Sequence, residues 1–252
     1  MLTIPIEMDF SVLSRTQVSV HSGLTYDQSI ALLRKTEDYV KNIMSQPSFD
    51  ASHDSDHVSR VAVLTTKILG IENRDNPNIE YNPMKVLLAA LLHDVEDRKY
   101  CSQVVEGKTP EGPKKYLLTQ GCPPPLAGAV QEVINAVSYS TEIGSPELVQ
   151  RMLTVHPELA IVQDADRLDA LGAVGIGRAF TYGAVKGCGR GLEGTLKHFD
   201  EKLLKLQGMM KTEEGRRLAK IRTHRLIMFK EWWEEEVRNP MSATSDHPGL
   251  IP

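Results

Sequence analysis

The 252 residues are 41% hydrophobic and 25% charged, which is enough apolar material for a buried core and excludes a disordered or fibrous chain. Lys and Arg number 29 against 33 Asp and Glu, and the net charge of −4 excludes the strongly basic surface that a nucleic-acid duplex requires, so a small partner is expected. Three cysteines, Cys101, Cys122 and Cys188, form neither an even set nor a CxxC pair, which excludes a disulfide framework and points to a reduced, cytoplasmic setting.

The opening MLTIPIEMDF carries Glu7 and Asp9 and no basic residue before Arg15, unlike a signal or transit peptide. Ile30, Leu32, Leu33, Tyr39, Val40 and Ile43 then recur at helical spacing and predict a helix over Tyr26–Met44, ahead of the break at Gln46-Pro47-Ser48. A second helix is expected to start at 52–54, among good capping residues, and to stop at Gly70, with Val58, Val61, Ala62, Thr65, Ile68 and Leu69 on one face. Asn82-Pro83 reads as an N-cap followed by proline at the first helical position, opening a third helix through VLLAALLHD. Because it is apolar on all sides, it should be the central, buried helix, and its apolar run over 86–92 is too short to cross a bilayer, so no membrane partner is expected.

The stretch 101–125 is rich in glycine and proline and reads as loop, with a short helix around 114–119. Helix resumes over 126–137, and Pro157 opens another through LAIVQDADRLDALG. After the glycine-rich YGAVKGCGRGLEGT, two further helices are expected over about 196–209 and 213–237, and the tail MSATSDHPGLIP should fray. No stretch alternates as a strand does, so the fold class is all-α.

Three of these helices carry polar groups where apolar ones belong. His93-Asp94 directly follows seven apolar residues, and a titratable pair at the end of a buried helix must be paired, hydrogen-bonded or metal-bound to offset its desolvation. His57 lies in a stripe with Val61, Leu64 and Ile68. Asp166 shares a face with Leu159, Val162, Asp169 and Ala173, and carboxylates are almost never fully buried without a partner or a cation. Taken singly, each has an ordinary packing explanation; together, two imidazoles and two carboxylates form a mixed nitrogen and oxygen set suited to a divalent transition metal with open positions.

The order His57, His93-Asp94, Asp166 resembles that of the HD-domain metal-dependent phosphohydrolases. The blocks HDSDHVSRV, LLHDVEDRKY and VQDADRLDALGAVGIGRAF, and later HFDEKLLKL and KTEEGRRLAKIR, are similar to those of a YpgQ/YedJ-like subgroup linked to nucleoside triphosphate pyrophosphohydrolysis. The resemblance covers about 50–236. It implies an HD-domain helical bundle over 51–238 with additional C-terminal helices, preceded by a helical extension over 1–50 packed on the core and followed by a flexible tail over 239–252. It also implies His57, His93, Asp94 and Asp166 as ligands of one divalent ion, manganese first, with cobalt, nickel, iron or zinc as alternatives. The A-D-x-L context selects Asp166 over Asp164, and Asp54, Asp164 and Asp169 become supporting residues behind the ligands. A competing assignment pairs His53 with His57 across one helical turn; otherwise His53 orients the site or touches substrate.

Such an ion lowers the pKa of bound water and polarises a phosphoryl oxygen, so hydrolysis of a phosphoester or phosphoanhydride in a small nucleotide-like substrate is the expected chemistry. Glu96 and Asp97, just after the HD pair, are candidates for proton transfer, Asp97 first with Lys99 beside it and Glu96 with a surface position as its alternative; the acidic pair stands one residue closer than in relatives that act on (p)ppGpp. Arg60 and Arg167 flank the ligands, and the segment 186–225 holds eleven Lys or Arg against five Asp or Glu. Lys186, Arg190, Lys202 and Arg222 are the substrate candidates there, against the ordinary alternative of solvated helix faces. Two rival readings stay open, a dinuclear HD oxygenase and a non-catalytic HD ligand-sensing module. The first needs an extra pair of histidines between Asp94 and Asp166, where the sequence has His156 alone. A homodimer through the long C-terminal helix is undecided.

Overall fold

The computed structural model describes residues 22–45, 54–95, 112–186 and 191–238. Eleven α-helices and one 3-10 helix make up these residues, with no strand among them, so the all-α expectation holds. In chain order they are α1 (Tyr26–Met44), α2 (Ser55–Asp75), α3 (Pro83–Leu92), α4 (Pro113–Thr119), α5 (Pro124–Val137), α6 (Tyr139–Gly144), α7 (Pro146–Val155), α8 (Glu158–Asp169), α9 (Gly172–Lys186), α10 (Gly191–Glu201), the 3-10 turn Leu203–Met209, and α11 (Glu213–Arg238).

The starts follow local chemistry. Thr25 and Gln28 form a reciprocal capping box at α1, Asp54 accepts the His57 N–H at α2, and Asn82 accepts the Met84 and Lys85 N–H groups ahead of Pro83 at α3. Gly70 does not stop α2, which runs on to Asp75. The extension is held by buried Glu72, which accepts from the Tyr81 hydroxyl at 3.1 Å and from Asn76 at 2.8 Å, enough to override the weak helix propensity of one glycine. The glycine-rich segment is mostly helical, since α9 continues through Gly183 and α10 begins at Gly191. The helix expected over 196–209 is broken at Lys202 into α10 and the 3-10 turn, and α6 and α7 arise in a stretch for which the sequence signalled nothing.

The core is built around α3, which packs against α1, α2, α5 and α8. Nine of its ten residues are buried, each leucine contributing roughly 1.5–3 kcal/mol by leaving water. Parallel placement of α3 and α8 is fixed by a buried pair at their starts. Lys85 donates to Glu158 Oε2 at 3.0 Å, and the Asn82 N–H donates to Glu158 Oε1 at 2.8 Å. Eight residues further along each helix, about 12 Å of rise, lie His93 and Asp166. The register set at one end therefore decides what meets at the other.

Candidate metal centre

The first turn of α2, the end of α3 and the C-terminal half of α8 converge on one point. His57 Nε2 lies 3.3 Å from Asp94 Oδ2 and 3.5 Å from Asp166 Oδ1. His93 Nε2 lies 3.5 and 3.7 Å from the same two oxygens. Ligand atoms around a transition ion with bonds of about 2.0–2.2 Å are roughly 3.0–3.6 Å apart, so three of these separations fall in the range of a coordination-shell edge and the fourth, 3.7 Å, just beyond it. His57, His93 and Asp166 together form a group able to hold a metal ion, their donor atoms all within 4.8 Å of one another.

Both imidazoles are turned the same way. His93 Nδ1 donates to the Ala90 carbonyl at 2.8 Å, and His57 Nδ1 donates to Asp169 Oδ2 at 2.8 Å, which turns each Nε2 toward the cluster. His93 Nε2 is buried and makes no hydrogen bond. Two carboxylates face that nitrogen, so something electropositive belongs there, a proton on His93 or a divalent cation held by the whole donor set. Burial opposes charge on His93, but the Asp94 and Asp166 carboxylates outweigh it and raise the imidazole to about 9. Burial likewise pushes the Asp166 carboxyl up, and the two histidines pull it below its ordinary value.

Behind His57 stands a second layer. Asp169, almost fully buried, accepts from Arg60 Nε at 2.8 Å and Arg60 Nη2 at 3.0 Å, and lies 3.2 Å from Arg178 Nη1. Burial alone would raise the Asp169 carboxyl; the bonds from His57 and Arg60 overcome it and hold it well below the usual carboxylate range.

A cavity of ≈ 280 Å³ opens over the cluster. His57, His93, Asp94 and Asp166 line one side, and Tyr139, Arg178, Tyr182, His198 and Lys202 line others. Lys202 Nζ sits 5.1 Å from the centre of the Tyr139 ring.

The remaining expected residues divide. Asp54 acts as the α2 cap and so sets where His57 begins its turn. Asp164 does not support the cluster. Its carboxylate accepts the Lys211 and Thr212 N–H groups and the Thr212 hydroxyl, 2.7 to 3.1 Å away, and so braces the start of α11. Arg60 faces Asp169 and does not border the cavity. Arg167 borders it but is spent on Glu142 and the Met209 carbonyl. Arg222 donates to the Leu168 carbonyl at 2.6 Å at the end of α8, away from the cavity. All three guanidiniums tie elements of the fold together, and of the three Arg167 borders the cavity. His53, Glu96, Asp97, Lys99 and Arg190 lie outside the described residues, as does the Lys186 side chain.

Arg178, Tyr182, Tyr139 and His198 were not anticipated. On α9 the cavity-lining positions Gly175, Arg178, Ala179 and Tyr182 fall at i, i+3, i+4 and i+7, and two polar residues on a face otherwise of glycine and alanine were a readable signal.

No family model matches the sequence. The chain is 34% identical over 211 residues to Bacillus subtilis YpgQ, covering 82% of this chain and 94% of that one. A crystal structure of Bacillus subtilis YpgQ in complex with ADP superposes with a TM-score of 0.63 at 28% identity, over 84% of this chain and 98% of that one. An HD-superfamily hydrolase from Bacillus thuringiensis superposes with a TM-score of 0.53 at 28% identity, over 84% and 99%.

Proposed function

We infer the activity from one premise: the chain belongs to the YpgQ-like branch of the HD superfamily, a family of metal-dependent hydrolases. The activity proposed is metal-dependent hydrolysis of a phosphoester or phosphoanhydride in a small nucleotide-like substrate, with nucleoside triphosphate pyrophosphohydrolysis as its specific form. One observation carries it: the buried, unsatisfied Nε2 of His93 lies in a His/His/Asp group at a cavity whose walls bear cations. The ADP complex of the YpgQ relative supports a phosphorylated ligand of this size.

In this reading His57, His93, Asp94 and Asp166 hold the ion, with manganese first among the candidates. The ion, when bound, supplies Lewis acidity and lowers the pKa of water held beside it. The Ala90 carbonyl and Asp169 keep both imidazoles in the tautomer that offers Nε2. Cationic wall residues neutralise the phosphates and orient the scissile bond, which is most of what phosphoryl transfer asks of a protein. Glu96 or Asp97 carries the proton to the leaving group, with Lys99 beside them.

No helix among the described residues is long and apolar enough to cross a membrane, and a reduced cytoplasmic enzyme is the setting proposed. The test is phosphorus NMR of products from a mixed nucleotide pool with Mn²⁺, run with and without chelator. Chelator-sensitive release of pyrophosphate or phosphate is expected; a pool that stays intact with Mn²⁺, Co²⁺ and Ni²⁺ refutes the reading.

A further inference from the structure

No residue of α6 is buried, and the helix packs mainly on its chain neighbours α5 and α7, from which the non-helical residues Ser138 and Ser145 separate it. Yet Ser138, Tyr139 and Ser140 line the cavity. A wall without apolar anchorage needs another tie, and Glu142, one turn past Ser138, supplies it. Its Oε1 accepts from Lys211 Nζ at 2.7 Å and its Oε2 accepts from Arg167 Nη2. Burial opposes charge on Glu142, but these two donors outweigh it and hold the carboxyl below its ordinary value. Arg167 Nη1 and Lys211 Nζ also donate to the Met209 carbonyl, at 3.0 and 2.7 Å. Met209 closes the 3-10 turn whose Leu203 and Leu206 line the cavity, and Arg167 follows Asp166 on α8. One knot of two cations, a carboxylate and a carbonyl thus ties two cavity walls to the helix that brings Asp166 to the cluster.

Resting on the phosphohydrolase reading, we propose that Glu142 is a substrate-positioning residue: through Arg167 and Lys211 it holds the Tyr139 wall at a fixed place relative to the metal centre, and so sets how tightly a nucleotide-like ligand is gripped. Glu142 is not among the residues that line the cavity, so it acts through the groups it fixes. With the wall preset, a ligand does not have to order Tyr139 and its neighbours as it binds. Without the tie, that ordering is subtracted from the ligand's affinity.

The experiment compares the parent protein with Glu142→Gln, Lys211→Met and the double variant, each checked for native helicity, and either single variant carries the test alone. Mn²⁺ affinity is read by electron paramagnetic resonance, ADP affinity of the Mn²⁺-loaded protein by calorimetry, and amide exchange over 139–145 and over α8 by mass spectrometry. In Glu142→Gln the amides of 139–145 should exchange about ten- to a hundredfold faster, as loss of a charged hydrogen bond implies, with α8 unchanged. ADP should bind about tenfold more weakly, the cost of ordering one or two side chains on binding, while Mn²⁺ affinity stays within about threefold. Lys211→Met should do the same, and the double variant should be no worse than either single one, because both break one knot. An ADP loss below threefold, or a gain from unmasking Arg167, overturns the assignment and leaves the phosphohydrolase reading standing. Exchange over 139–145 no faster than in the parent, or faster exchange spread equally over α8, also overturns it, as does a tenfold loss of Mn²⁺ affinity, which makes Glu142 a general brace. Losses that add in the double variant overturn it as well. A parent that binds Mn²⁺ but not ADP overturns the nucleotide-like substrate of the phosphohydrolase reading, and the assignment with it.

Discussion

Asp169→Asn keeps the outline of the side chain and deletes its charge, and its effect on metal affinity can be worked from the bonds it holds. The carboxylate serves His57 Nδ1 through one oxygen and Arg60 through both, with Arg178 3.2 Å away. An asparagine has one acceptor oxygen, and its amide N–H₂ would face donors. Either His57 or Arg60 therefore loses its partner. Removing the group that orients a ligating histidine lowers metal affinity about 10- to 100-fold, or roughly 1.4–2.7 kcal/mol. Stability should fall by about 1–3 kcal/mol, because Arg60 and Arg178 keep 26% and 16% of their side-chain surface in water and relax toward it. The folded Asp169 ionises below the usual range, so its stabilisation is complete above an unfolded value near ~4 and fades as pH falls further. The variant should lose that acid limb. Mn²⁺ titration and urea unfolding at pH 7 and about pH 3.5 check both halves. A variant binding Mn²⁺ within threefold of the parent refutes the claim that Asp169 holds His57 for the ion.

Other consequences are as specific. With His93 raised to about 9, protons compete with the ion at neutral pH, so Mn²⁺ affinity measured anaerobically should rise about tenfold per pH unit from 7 to 9, with one proton released per ion; a flat profile contradicts the ligand assignment. Asp164→Ala strips the Lys211 and Thr212 N–H groups of their acceptor and should lower stability by about 2–4 kcal/mol while leaving Mn²⁺ affinity unchanged, which separates it from Asp166→Ala. A Cβ at Gly175 would collide with the Ala170 carbonyl, so Gly175→Ala should shift α9 and reduce turnover of a phosphorylated substrate more than it reduces Mn²⁺ binding. Glu158→Ala leaves Lys85 buried without its counter-charge and should destabilise the chain by about 3–5 kcal/mol, read by urea titration.

The parts of the site that could be read from sequence were those where a polar residue interrupts an apolar pattern. His57 in its stripe and His93-Asp94 after seven apolar residues are signals of this kind, and the structure brings both beside Asp166. Asp166 and Asp169, three residues apart on α8, share a face; Asp164 stands about 200° from Asp166 around the helix, which is why it reaches α11 instead. The partners of the arginines were not legible, because a positive charge near a ligand in sequence says nothing of which carboxylate it meets across the fold. Arg60 and Arg167 found Asp169 and Glu142, residues 109 and 25 positions away. Helices crossing Gly70 and Gly183 escaped for a related reason, since packing against neighbours decides what local propensity leaves weak.

The three ligand-bearing helices interlock with one another in the interior, whereas the opposite walls of the cavity come from α9, α10 and the bend at Lys202. Arg178 aside, which lies against the Asp169 behind His57, variation in those outer pieces should reshape which molecule is admitted while leaving the four-residue cluster in place. Relatives with the same four-residue centre are thus free to diverge in diet, and swapping the segment from Gly172 to Met209 between them with Arg178 kept should transfer substrate preference while leaving metal selectivity with the recipient.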